Sequence, residues 1–177
     1  KELLAPWVAD YLDRGKPMRV IEHGRHDRFR GQMPHVVRPD LLLTEDGFAL
    51  TEMDAVPGGL GLTDFLNGLY GGEDAGVIGG SIGTREAFYE SIVATTPDKP
   101  NPLVAIVVSD EADTYRPEFE YIAECLRADN RRVYVYHPDD IMPLGKTLCV
   151  NVDGNPEPID IIYRFFELFD LGNVSTA

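Results

Sequence analysis

The sequence predicts an α/β protein, and three observations carry that reading. Residues 36–54, VVRPDLLLTEDGFALTEMD, form a hairpin pattern; residues 103–110, LVAIVVSD, are a continuous apolar run of strand length; and an amphipathic helix with a second strand follows directly. Strand, helix, strand in that order favours a parallel sheet with a right-handed crossover.

The chain has 177 residues, 44% of them hydrophobic, enough for one sizeable core or two small ones. Its formal charge of −14, with 16 basic residues against 30 acids, argues against nucleic acid as a partner, because phosphate backbones are held by clustered Lys and Arg. No apolar run approaches the roughly 20 residues of a membrane span, and the opening KELLAPWVADYLDRGKP lacks the basic and apolar regions of a signal peptide. The expectation is a cytoplasmic protein with no membrane partner, its assembly left open, a homo-oligomer included. Cys125 and Cys149 show no CxxC or Cys/His spacing and read as reduced, buried thiols. Lys1 at the start and FELFDLGNVSTA at the finish read as cut ends.

Along the chain, residues 2–12 carry Leu3, Leu4, Trp7, Val8, Tyr11 and Leu12 at helical spacing, and Gly15 and Pro17 stop that helix. Residues 21–34, IEHGRHDRFRGQMP, read as a surface loop. His23 and His26 stand near Asp27 in it, but without a third clustered ligand they read as solvated. In the hairpin, Glu45-Asp46-Gly47 is the turn. Residues 60–72 place Leu62, Phe65, Leu66 and Leu69 on one helical face, with Thr63 as N-cap and Gly71-Gly72 as the stop. A further helix spans about 85–94, and Pro97, Pro100 and Pro102 suggest a boundary between segments 1–96 and 102–170. Beyond it lie a strand at 103–110, a helix from Arg116 with Phe119, Ile122, Ala123 and Leu126 inward, and strands within 131–138, 147–158 and 159–166.

The chemistry concentrates at the end of the hairpin. Strict alternation puts Phe48, Leu50, Glu52 and Asp54 on one face, the two carboxylates about 6.6 to 7 Å apart along the strand. That spacing suits one hard cation, and magnesium commonly takes one or two carboxylates and completes its shell with phosphate and water. Two acids at a fraying strand end explain the pair equally well. Arg38, on the partner strand, can grip a carboxylate or phosphate bidentately, and Pro57-Gly58-Gly59 leads into a helix start that favours anions.

With Arg38-Pro39-Asp40, Glu52-Met53-Asp54 and Pro57-Gly58-Gly59 in this order, the chain resembles the circularly permuted ATP-grasp ligases, the group of eukaryotic glutathione synthetase and the bacterial glutathionylspermidine synthases. The second half, ending in Tyr163-Arg164, is similar to that family's inserted substrate-binding subdomain, so the resemblance covers about residues 34–170. It implies that 1–96 is part of a permuted ATP-grasp core and 102–170 a parallel-sheet substrate subdomain. It further implies Glu52 and Asp54 as magnesium ligands, Glu52, Gly58 and Gly59 at the nucleotide, ATP and Mg²⁺ as cofactors, and Arg38 and Arg164 on the substrate carboxylate or the transferred phosphoryl group. The implied reaction joins a carboxylate substrate to an amine through an acyl phosphate. Asp54 stands where the family has Asn, the peptide-binding serines are absent from AVPGG at 55–59, and Lys1, Lys16, Lys99 and Lys146 lie in no glycine-rich clamp loop. The chain therefore reads as the front part of a longer ligase, inactive alone. Two rivals stand beside it: a non-catalytic binding or scaffold module with a degenerate fold of this kind, and a metal hydrolase using Glu52, Asp54 and the loop histidines. Glu118 is a further candidate for gripping a substrate amine, although a first-turn acid on its own helix explains it.

Overall fold

Strand β3, Val104–Val108, is buried at every position, so both of its faces must be covered. That requirement organises the larger of two compact units in the computed structural model, residues 34–177; the smaller is residues 1–33. The structure describes residues 6–72, 76–167 and 172–173.

In the smaller unit, helix α1 is Pro6–Asp13 and helix α2 is Met18–Gly24, followed by a 3₁₀ turn at Asp27–Phe29. Residues 2–5 of the expected first helix lie outside the described residues. Much of the expected loop is therefore helical. Pro17, at φ −59°, stands immediately before α2, and its carbonyl accepts the amides of Val20 and Ile21, so the fixed proline φ starts a helix as well as ending the one before it. No residue of α2 is buried.

The larger unit begins with the hairpin of β1, Arg38–Thr44, and β2, Gly47–Asp54, with Glu45 and Asp46 between the strands. Gly47 takes φ +138° to enter β2, a value that disfavours any side chain. Helices α3, Leu60–Tyr70, and α4, Gly83–Val93, follow. Then come β3, a 3₁₀ segment at Asp110–Tyr115, helix α5 at Arg116–Ala128 and β4 at Val133–Tyr136. Strands β5, Met142–Leu144, β6, Thr147–Val152, and β7, Asn155–Pro158, form an antiparallel meander, and β8, Ile161–Phe165, returns to the main sheet.

The main sheet has the order β4-β3-β8 with every pair parallel, as the alternating second half predicts. On one face Val104, Ile106 and Val108 pack with Val133, Ile161 and Phe165 against Phe119, Ile122, Ala123 and Leu126 of α5 and Phe88 and Ile92 of α4. On the other face Leu103, Tyr134 and Tyr136 pack with Val150 and Val152 of β6. Val133 and Tyr134 thus enter different clusters, as a period of two requires. The prolines at 97, 100 and 102 do not separate packing units, since α4 before them and α5 after them share one core. The start of β8 is stitched to β3 by Asp160, whose carboxylate accepts the Leu103 amide at 2.9 Å and pairs with Lys99 at 3.0 Å. The Leu103 amide and then Lys99 hold that carboxyl below its usual range.

The stripe expected to bury α3 is exposed: Leu62, Phe65, Leu66 and Leu69 all face outward, and the buried positions are Gly61 and Asp64. Close approach decides this. A Cβ on Gly61 would stand 2.4 Å from the Glu118 carbonyl oxygen, so α3 lays its glycine side on α5. Thr63 is not the N-cap; its hydroxyl donates back to the Gly59 carbonyl, and Gly59 occupies the cap position at φ +84°.

Phe119 is 1% exposed and stacks edge-on with Phe165 at 4.5 Å. Phe119→Ala should therefore cost about 3–5 kcal/mol, read as a lower urea midpoint with an unchanged denaturant slope.

Candidate functional site

The hairpin register sets the site. Arg38 stands opposite Asp54 and Asp40 opposite Glu52, while Leu41 stands opposite Leu50, so Thr51 is an extra residue in β2. This bulge corrects the facing expected from strict alternation. Strand β1 has no extra residue, so Arg38, Asp40 and Leu42 share one face, and their partners Asp54, Glu52 and Ala49 share it with them. Phe48 and Leu50 fall on the opposite face with Leu43 and Leu41. Glu52 and Asp54 do share a face, but it is not the apolar one.

On that face Arg38 makes two hydrogen bonds and one further ion pair. Its Nε lies 3.3 Å from Asp40 Oδ1, one terminal nitrogen donates to the Gly58 carbonyl at 3.1 Å, and the other lies 3.5 Å from Asp54 Oδ2. Asp54 Oδ1 also accepts the Val56 amide at 2.9 Å, which fixes the chain as it leaves β2. The Glu52 side chain has no hydrogen-bond or ion-pair partner among the described residues and is exposed. The corner therefore holds one guanidinium, two carboxylates paired with it and one free carboxylate.

This donor set distinguishes two kinds of cation binding. Among the described residues no group of three or more His, Cys, Asp or Glu side chains is arranged to hold a metal, and Asp54 is committed to Arg38 and the Val56 amide. A bare cation cage does not fit. A magnesium ion that brings phosphate oxygens and water needs only one or two carboxylates, and Glu52 is the one carboxylate of this corner left for it, beside an arginine able to take phosphate. The loop histidines belong to the smaller unit, where His26 Nδ1 accepts the Arg28 amide and the His23 ring packs on Phe29 at 5.1 Å.

The glycines have packing roles. A Cβ on Gly58 would meet the Tyr115 ring at 2.1 Å, and Gly59 needs its left-handed φ to start α3. The amides of Gly61 and Leu62 at that helix start are already taken, at 3.1 and 3.2 Å, by Oε2 of Glu118 from α5. A phosphate could not share those amides while Glu118 holds them. Sequence reasoning set Glu118 on its own helix dipole; its partners lie 57 and 56 residues away, and no local pattern signals such a contact. Gly71 likewise has a packing role, since a Cβ on it would stand 2.5 Å from the Gly80 carbonyl carbon.

Arg164 is not brought to Arg38. In β8 Tyr163 packs into the α4 and α5 core against Phe88 and Phe119, so alternation turns Arg164 to the other face of the sheet, where its guanidinium lies 5.2 Å from the Phe166 ring. Val36 and Val56, on either side of the hairpin, pack on the same core as Tyr163. Burial, with a smaller contribution from the Asp54 carboxylate, pushes its phenol up to about 12. A pocket of about 180 Å³ lies beside it, lined by His35, Val36, Ala55, Ile92, Thr95 and Ile162 among others.

A second polar cluster fastens α3. Asp64 is fully buried; its Oδ1 accepts Arg85 Nε and the Arg85 amide, both at 3.1 Å, and its Oδ2 is ion-paired with a terminal Arg85 nitrogen at 2.8 Å without a hydrogen bond. Both cysteines are free, Cys149 buried and Cys125 half-buried. No described helix is long and apolar enough to cross a membrane. The chain matches no protein-family model, no curated protein and no solved structure.

Glu118→Ala should uncap α3, costing about 1 kcal/mol and speeding hydrogen exchange at Gly61 and Leu62 while leaving β3 amides protected. The raised Tyr163 pKa gives a signed pH effect: its share of stability is complete below the ordinary phenol pKa near 10 and is lost as pH climbs towards 12. Asp54→Asn should lower the Tyr163 pKa, and Tyr163→Phe should remove that part of the alkaline instability, both followed by phenolate absorbance.

Proposed function

We propose that this chain is the front portion of an ATP-dependent carboxylate–amine ligase, and that the base of the hairpin is its magnesium–phosphate corner. The observation that carries the reading is a free Glu52 carboxylate on the same face as Arg38, itself fixed by Asp40, Asp54 and the Gly58 carbonyl. The order of motifs from Arg38 to Gly59 supports it as a resemblance.

In the proposed reaction a substrate carboxylate oxygen attacks the γ-phosphorus of ATP and ADP leaves; the amine then attacks the acyl phosphate, forms the amide and releases phosphate and a proton. Such chemistry depends on positioning and charge neutralisation and uses no enzyme nucleophile. Magnesium, when bound, would supply part of that neutralisation. Arg38 serves as an oriented cation for an anionic oxygen, and Asp40 and Asp54 keep its guanidinium from swinging. Arg164, on the other face of β8, would act on a different part of the substrate from Arg38. Cytoplasmic location and the small-molecule or peptide acid and amine follow from this reading.

A second reading is a non-catalytic binding or scaffold module. Glu118 favours it, because an internal carboxylate already fills the helix start that a nucleotide phosphate would use. ATP binding by the natural polypeptide, with and without Mg²⁺, separates the two. Glu52→Ala should weaken Mg-ATP binding by about tenfold or more while His26→Ala leaves it unchanged. Mg-ATP binding indifferent to Glu52 would sink the ligase reading.

A further inference from the structure

We infer that Thr51 is a positioning residue, whose bulge decides which face of the hairpin carries Glu52 and Asp54. The inference rests on reading that face as a magnesium–phosphate corner, but its structural part stands on the register alone. Between the turn and the bulge the pairs are Thr44 with Gly47, Leu43 with Phe48, Leu42 with Ala49 and Leu41 with Leu50. Continued without interruption, that ladder would set Asp40 opposite Thr51, Pro39 opposite Glu52 and Arg38 opposite Met53. Glu52 would then join Leu41 and Leu43 on the apolar face, and Arg38 would lose Asp54.

The observed register departs from this by one residue, between Asp40 and Leu41. At that step the Thr51 hydroxyl donates to the Asp40 carbonyl at 3.0 Å, tying the extra residue to the strand it would otherwise slip past. Below the bulge the pairs become Asp40 with Glu52, Pro39 with Met53 and Arg38 with Asp54. With Thr51 present in the sequence, leaving it unpaired keeps Arg38, Asp40, Glu52 and Asp54 on a single face and Pro39, Leu41, Leu43, Phe48, Leu50 and Met53 on the other with no charge among them. Bulges re-aim side chains in this way next to sites of chemistry.

The hydroxyl and the extra residue can be separated by substitution. Thr51→Val keeps shape and strand preference but removes the donor; Thr51→Ser keeps the donor. Deleting Thr51 removes the bulge and still leaves Asp40 opposite Glu52, because the ladder then runs regularly from Leu41–Leu50 to Asp40–Glu52. The readouts are the ratio of ATP affinities with and without Mg²⁺ in the natural polypeptide, and cross-strand nuclear Overhauser contacts from Asp40. General destabilisation would lower both affinities together, whereas misplaced carboxylates lower the ratio.

Thr51→Val should reduce the Mg²⁺ preference by about tenfold and weaken the Asp40 to Glu52 contact, Thr51→Ser should restore both, and the deletion should retain both. A Thr51→Val protein with an unchanged ratio and an unchanged Asp40 to Glu52 contact would overturn the inference. So would a deletion that moves Asp40 away from Glu52. A wild-type protein that binds no Mg-ATP would overturn the ligase reading instead, and the Overhauser contacts would still decide whether Thr51 sets the face.

Discussion

The fold depends on hiding β3. Five consecutive residues, Val104 to Val108, are buried, and a strand in that position needs hydrogen-bonded neighbours on both edges and apolar layers on both faces. β4 and β8 supply the edges in parallel, and α4 with α5 covers one face while β6 of the meander packs on the other. The chain visits these elements on either side of β3, so the proline-rich segment at 97–102 is a bridge within one core. Phe88 and Ile92 reach that core from before the prolines, and Phe119 and Leu126 from after them.

Polar contacts then fix what the apolar layers leave adjustable. Helix α3 presents a glycine and an aspartate to its neighbours rather than a leucine stripe, and such a helix is held by specific pairing. Arg85 pairs with buried Asp64, donating to its Oδ1, and Glu118 takes two of the amides that a helix start leaves open. Removing either partner of the Asp64–Arg85 pair would strand a charge with little access to water, a defect typically worth about 3–5 kcal/mol. Arg131 adds a two-point contact to Glu86 at 2.9 and 2.6 Å, joining the end of α5 to α4. An acidic chain thus spends several of its few arginines on orientation between helices.

The parts legible in the sequence are those governed by neighbours along the chain. The apolar continuity of LVAIVVSD, the amphipathic pattern from Phe119 to Leu126 and the Glu45-Asp46-Gly47 turn all state local preferences that the tertiary structure keeps. Three features were hidden because remote residues decide them. The exposed stripe on α3 follows from Gly61 lying against Glu118; the role of Glu118 follows from amides on another helix; and the facing of Glu52 follows from one unpaired Thr51. Alternation reads a strand correctly only while each residue has an opposite number. A threonine between Leu50 and Glu52 gives no sign of which residue its partner strand will skip.

The hairpin is supported unevenly along its length. A two-stranded ribbon is marginal alone, and the far end of this one is open, with Leu43 90% exposed. The base is different. There Arg38 ties both strands to the Gly58 carbonyl, Asp54 fixes the Val56 amide, and Gly58 lets the following turn lie against Tyr115. Residues that must hold an anion or a cation in fixed geometry need rigid support, and the ribbon has it only where it joins the core. The face carrying Arg38, Asp40, Glu52 and Asp54 is confined to that supported end, below the bulge. Glu52 sits within it as the carboxylate the framework leaves unused, which separates it physically from the acids that only hold the arginine in place.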